Sequence, residues 1–187
     1  MKDSKLLAVQ DRRESYFAQY ILPRGRKIKQ FHAPSVELIF NLLLTSDVLT
    51  SQLVRTLSQH NLSLSAYNIL GILTRIQNDG MALSELSELL IVSRANITGL
   101  VDCLEQRGLV ERVTVATDRR SRLAKITPAG EALVQIILPN HYAAIRAVCG
   151  GLDDEERQSL ISLLTKLRLT QQAAPTGIQK LARGTKK

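Results

Sequence analysis

Apolar residues recur along this chain at two periods, and the places where the period changes outline its elements. The clearest run is Leu83 to Thr127. A short helix over Ser84 to Leu90 is followed by a tight turn at Ile91 and Val92. A second helix starts behind Ser93, whose hydroxyl suits free amides, and closes at Gly108, where left-handed backbone ends a helix. Ile97, Leu100, Val101 and Leu104 fall on one face of that helix and predict its buried side. The period then shortens. Val110, Val113 and Val115 mark one arm, and Leu123 and Ile126 the other, around the polar stretch Ala116 to Ser121. That predicts a β-hairpin with arginines at its tip. Two helices joined by so short a turn form a helix-turn-helix, and the hairpin behind them forms a wing.

The flanking segments read as helices. Ser4 to Ile21 offers Leu6, Leu7, Phe17, Tyr20 and Ile21 for burial, and Pro23 with Gly25 is expected to stop it. Ser35 is expected to cap the next helix, which runs to about His60. Its first half is apolar on nearly every face, which in a small protein argues for a partner chain against one side. Ser65 is expected to cap a helix carrying Ile69, Leu70, Ile72, Leu73 and Ile76, with Leu64 packing on Ile69 as a hydrophobic staple. Asn78, Asp79 and Gly80 end it, and Met81 to Leu83 predicts a short strand beside the wing. Thr127-Pro128 starts a long helix with a stripe of Leu133, Ile137, Ile145 and Val148, a kink near Gln135 to Leu138 ahead of Pro139, and an end at Gly150-Gly151. Asp153 with Glu156 forms a capping box for a last helix, where Leu160, Leu163, Leu164 and Leu167 recur. Beyond Gln172 the chain is polar and basic, as in a disordered tail.

Composition changes this picture in one respect, the placement of charge. The 187 residues carry a net +8. Three windows, Pro23 to Gln30, Arg112 to Lys125 and the tail from Ala173, hold 13 bases against one acid. The remainder therefore nets −4, so positive charge is gathered at a few places, as on a phosphate-binding surface. The plainer alternative is that loops and tails are basic for solubility. No apolar run approaches the roughly 18 residues that span a bilayer, and charges interrupt the N-terminus too early for a secretory signal, which implies a cytosolic protein. Cys103 and Cys149 fit free, structural thiols, and His32, His60 and His141 are too far apart to suggest a metal site. No cofactor is implied. There is no Gly-rich phosphate loop, no carboxylate cluster and no defensible nucleophile–base spacing, which argues against an enzyme.

Leu64 to Thr127 resembles the winged helix-turn-helix of the MarR family of bacterial transcriptional regulators. The most specific part is Asp118-Arg119-Arg120-Ser121-Arg122-Leu123-Ala124-Lys125-Ile126-Thr127, which is similar to the family's wing signature. Leu104-Glu105-Gln106-Arg107-Gly108-Leu109-Val110 resembles the family's helix end. The resemblance implies a mainly α fold with a small β-wing and a helical dimerisation layer. The implied division is a helical extension with a basic loop over 1–34 and a dimerisation helix over 35–62. The DNA-binding domain covers 63–127, C-terminal dimerisation helices cover 128–172, and 173–187 forms a disordered tail. It also implies a homodimeric regulator of double-stranded DNA, a repressor more readily than an activator. Its two recognition helices would sit about 34 Å apart on a pseudo-palindrome with half-sites roughly 10 bp apart.

Ser93, Arg94, Asn96 and Thr98 are the residues left to face the groove. Arg94 suits guanine, Asn96 suits adenine, and Thr98 suits a phosphate or a thymine methyl. Gly99 stands where the family commonly has a larger basic or polar residue, which fits a closer approach of the helix to DNA. Arg120 is the wing residue best suited to the minor groove, with Arg119 and Arg122 on phosphates. Asp118 would orient the wing by pairing with arginine. The family also implies a small anionic or phenolic effector near the junction with the dimerisation layer, where Arg55, His60, Tyr67 and Arg75 are candidates. In the plainer reading His60 caps a helix end and Tyr67 is core. A winged helix used for protein contact, or for non-specific DNA binding, is the rival function.

Overall fold

The fold was analysed in a computed structural model that describes residues 11–76, 80–90, 94–115 and 118–173; the side chains of 94–95, 114–122 and 171–173 are not among those described. The chain divides into two compact units, Met1–Ser51 and Gln52–Lys187.

In the first unit the described residues begin at Asp11, so the expected start at Ser4 lies outside them. The Asp11 carboxylate accepts the Arg13 N–H at 2.9 Å and caps α1 (Arg12–Tyr16). The path widens into a π-helical turn at Phe17–Ile21 and resumes as α2 (Leu22–Gly25). The helix passes Pro23 and ends at Gly25, within the Pro23–Gly25 pair expected to stop it. Pro23 lacks an N–H, but in the first turn after a π segment that N–H has no α-helical bond to lose. At Gly25 a side chain would overlap the Phe31 ring. The next helix, α3 (Ala33–Ser58), starts before Ser35 and ends before His60. Pro34 sits in its first turn, where a missing N–H is tolerated, and the amides of Ser35 and Val36 both donate to the His32 carbonyl at 3.1 Å. The Ser35 hydroxyl bonds His32 Nδ1 at 2.8 Å and does not act as the cap. Within the unit Phe17 stacks on Phe40 with ring centroids 4.1 Å apart.

The second unit holds the winged helix. α4 (Leu64–Leu73) is capped by Ser63, not Ser65: the Ser63 Oγ accepts the Ala66 N–H at 3.1 Å. The residue ahead of the cap is then Leu62, which is buried in the same cluster as Tyr67, Ile69 and Leu70. Burial chose between two serines two residues apart. β1 (Met81–Ala82), α5 (Leu83–Leu90), α6 (Arg94–Gln106), β2 (Val110–Val115) and β3 (Asp118–Ile126) follow. The strands form one antiparallel sheet in the order β1-β3-β2, with Met81 opposite Ala124 and Val110 opposite Ile126. Asp118 to Ser121 belong to β3, so the stretch expected to be hairpin loop is largely strand, and the register shifts between Thr114 and Val115. The turn at Ile91 and Val92, the Ser93 cap, Asn78 with Asp79, the hairpin residues 116–117, the N-terminal decapeptide and the basic tail lie outside the described residues.

α7 (Pro128–Val148) and α8 (Asp154–Ala173) complete the chain. α7 is joined to the sheet through Thr127. Its N–H donates to the Leu109 carbonyl at 3.1 Å, its hydroxyl donates to the Gly108 carbonyl at 2.7 Å, and the same oxygen accepts the Gly130 N–H at 3.1 Å. Gly130 is required there, since a Cβ would strike the Leu109 carbonyl. Gly108 itself closes α6 with φ 67°. The buried stripe of α7 is Val134, Ile137 and His141, one residue out of phase with the Leu133 expectation, and Ile145 is exposed. The capping box of α8 is present: the Asp153 N–H donates to Glu156 and the Glu156 N–H to Asp153, each at 2.9 Å. Among the described residues no helix is long and apolar enough to cross a membrane, and no cluster suits a metal.

Candidate nucleic-acid interface

The interface is built around α6. Ile97, Val101 and Leu104 have no solvent exposure and fix the helix against α4, α5 and the sheet; Leu100 packs at their edge. That fixed phase leaves Asn96, Thr98 and Gly99 on the exposed side. Ser93 lies outside the described residues. For Arg94, Asp118, Arg119, Arg120 and Arg122 the backbone is placed, Arg94 at the first turn of α6 and the others along β3.

α6 is braced at its distal half by an arginine that sequence reasoning had counted with the phosphate-binding charges. Arg112 on β2 pairs with Asp102 at 2.5 Å and with Glu105 at 2.5 Å, and its N–H also donates to Glu105 at 3.1 Å. Its side chain is 16% exposed. Burial opposes the charge of Arg112, and the two carboxylates more than offset it, so its pKa is raised. Arg112 is thus removed from the free cations of the wing. It neutralises two acids on α6 and ties that helix to the first wing strand. Sequence held a faint signal for this, two acids at i,i+3 and an arginine just inside the next strand.

A second arginine fixes the end of α6. Arg107 donates to the carbonyls of Asn61 and His60 at 2.8 and 2.9 Å. Asn61 adopts φ 52°, a left-handed conformation that asparagine tolerates, so the corner after α3 turns its carbonyls toward Arg107.

Of the four effector candidates, the structure brings Tyr67 and Arg75 together. Tyr67 is buried, and its ring lies 4.5 Å from that of His141. Arg75 donates to the Gly71 carbonyl at 2.5 Å and to the Tyr142 hydroxyl at 3.3 Å. Thr56 lies 3.5 Å from His141 Nδ1. Burial pushes the Tyr67 phenol up and the His141 imidazole down, so the niche is neutral apart from Arg75. Arg55 is exposed, while the His60 ring meets Gln59 at 3.3 Å. Among the described residues no hydrogen bond or ring contact joins Arg55 or His60 to the niche. His141, Tyr142 and Thr56 were missed. His141 was legible as the next step of the Val134–Ile137 stripe. In the first unit, the basic segment is partly engaged too: the Arg24 guanidinium lies 5.8 Å over the Tyr20 ring.

A profile of the MarR family matches residues 60–121. The chain is 28% identical over 149 residues to the HTH-type transcriptional repressor YetL of Bacillus subtilis (strain 168), a match covering 80% of this chain and 89% of YetL. It is 30% identical over 111 residues to the HTH-type transcriptional regulator MhqR of the same strain, covering 59% of this chain and 75% of MhqR. Its fold is similar to that of BpsR from Bordetella bronchiseptica, whose structure addresses regulation of DNA binding by 6-hydroxynicotinic acid. That match has a TM-score of 0.63 at 23% identity and covers 71% of this chain and 98% of BpsR.

Proposed function

The chain belongs to the MarR family of winged helix-turn-helix transcriptional regulators, DNA-binding proteins and not enzymes, and from that premise we propose a homodimeric repressor released from its operator by a small aromatic or phenolic acid. The observation that carries this is α6, sealed by Ile97, Val101 and Leu104 and exposing Asn96, Thr98 and Gly99 beside the wing. Ser93, Arg94, Asn96 and Thr98 read the major groove of double-stranded DNA. Arg120 enters the minor groove, Arg119 and Arg122 hold phosphates, and Asp118 orients the wing. Apolar residues exposed on the single chain support a second copy: Leu38, Ile39 and Leu43 on α3, and Leu160, Ile161 and Leu163 on α8. Those helices form the dimerisation layer, and the operator is a pseudo-palindrome. The name of YetL supports repression. The site of action is the bacterial cytosol.

The effector rests on Tyr67, His141 and Tyr142 with its carboxylate on Arg75, an aromatic niche with one cation. The acid that regulates BpsR supports this chemistry. Arg55 and His60 remain candidates at its approach.

Fluorescence anisotropy with the duplex upstream of its own gene, over a salt series and against a scrambled duplex, tests the reading. Saturable binding that prefers the upstream duplex and falls steeply with salt is expected. Weak, equal binding to both would instead favour the protein-contact or non-specific reading. Release by 6-hydroxynicotinate or benzoate, lost in Arg75→Met, tests the effector site.

A further inference from the structure

Four glycines lie in described helices, and two of them stand where a side chain would clash. A side chain at Gly25 would overlap Phe31, and one at Gly130 would strike the Leu109 carbonyl. At Gly71, which is buried, a Cβ would make only an ordinary contact with the Arg75 guanidinium at 3.4 Å. Gly99 is different. It is exposed in the second turn of α6, its φ is not positive, and among the described residues a Cβ built on it meets nothing within 4 Å. Neither the backbone conformation nor the packing of the described residues requires glycine at this position. A helix is less stable with glycine than with alanine in its interior, so the fold alone would favour a side chain here.

Position suggests what the missing side chain serves. At about 100° per residue, Gly99 sits about 200° around the helix from both Ile97 and Val101. The buried face and Gly99 are therefore on opposite sides of the axis, and Gly99 is central to the face flanked by Asn96 and Thr98. We propose that Gly99 is a specificity-determining residue: its bare backbone lets α6 seat against the edge of a base pair in the major groove, in space that any side chain would take. This rests on the operator-binding reading above. A base edge is the fitting occupant because the groove floor approaches a recognition helix to van der Waals distance and carries apolar groups such as the thymine methyl.

The test starts with wild-type protein selecting from a random duplex library. The enriched duplex is then titrated by anisotropy with wild type, Gly99→Ala and Gly99→Gln, beside thermal unfolding of each. Gly99→Ala is expected to raise Tm by about 2–4 °C. It should weaken binding at least about tenfold, the scale of one lost base contact. Gly99→Gln should weaken it further, and neither should alter the salt slope, because no charge changes. Gly99→Ala that is stabilised and binds as tightly as wild type overturns the inference and leaves the operator reading standing. So does tighter binding by Gly99→Gln. A lowered Tm in Gly99→Ala would assign the glycine to the fold and overturn it as well. Wild type that enriches no sequence removes the operator reading, and the inference with it.

Discussion

α6 and α8 both carry apolar residues at helical spacing, yet they end in opposite states. On α6 the stripe Ile97, Val101 and Leu104 is sealed within the chain at 0% exposure. On α8 Leu160, Ile161, Leu163 and Leu169 remain 45, 57, 64 and 58% exposed. Periodicity says which residues want burial; it does not say whose surface covers them. The winged helix meets its demand with its own sheet and with α4 and α5, whereas α8 keeps an unmet demand that a second copy would answer.

The largest expected effect lies on the sealed side. Leu104→Ala should destabilise by about 2–5 kcal/mol, read by thermal or denaturant unfolding. The matching change on the open side, Leu163→Ala, should cost less than about 1 kcal/mol in a lone chain. Equal losses would break the comparison. Next, Ile161→Asp combined with Leu163→Asp should leave the winged helix folded and halve the mass in light scattering. An unchanged mass would mean that α8 is not the covering surface. A subtler change sharpens the sealed side. Arg112→Met leaves Asp102 and Glu105 uncompensated on α6. A stability loss of about 1 kcal/mol, modest because both acids are well solvated, should accompany roughly tenfold weaker operator binding. Adding Asp102→Asn and Glu105→Gln should restore binding, and a failure to do so would reduce Arg112 to a structural brace. The smallest effect concerns His141, whose pKa burial lowers from 6.5. The unfolded chain takes up a proton that the folded niche resists. The stability tied to neutral His141 is therefore complete above about pH 6.5 and lost as pH falls toward its folded pKa. His141→Leu should flatten the decline in Tm between about pH 7.5 and 5.5, and an unchanged decline would assign the acid sensitivity elsewhere.

Local signals in the sequence were dependable where one residue decides one bond. Gly108 closing α6, Thr127 capping α7 and the Asp153–Glu156 box each depend on neighbours within four residues. The short strand at Met81 followed from its position between a helix end and the wing. Signals failed where two local solutions were equivalent and the core chose between them. Ser63 and Ser65 are equally good caps in isolation; burying Leu62 with Tyr67 selected Ser63. Ser35 lost to a start at Ala33 because Pro34 can occupy the first turn. The remainder was hidden by distance. Arg112 looked like one more wing cation because its partners sit on another element. Tyr67 and Arg75 were legible because they lie eight residues apart in one stretch, but His141 and Tyr142 reach them from 67 or more residues away. The backbone of the wing is in place, while the roles assigned to its arginines remain proposals for mutagenesis.

Arg107 gives the reading helix a pivot. α6 has 13 residues and is therefore about 20 Å long. Its C-terminal end is fastened by Arg107 to the carbonyls of His60 and Asn61. Fastened there, and sealed along Ile97, Val101 and Leu104, the helix is held at its end as well as along its buried face. A tilt of about 10° about the fastening sweeps its leading residues through about 3 Å, the length of a hydrogen bond. Because Ile97, Val101 and Leu104 are sealed into the core, a shift of the 60–61 corner carried through Arg107 would move α6 together with the residues it packs on, and not the helix alone.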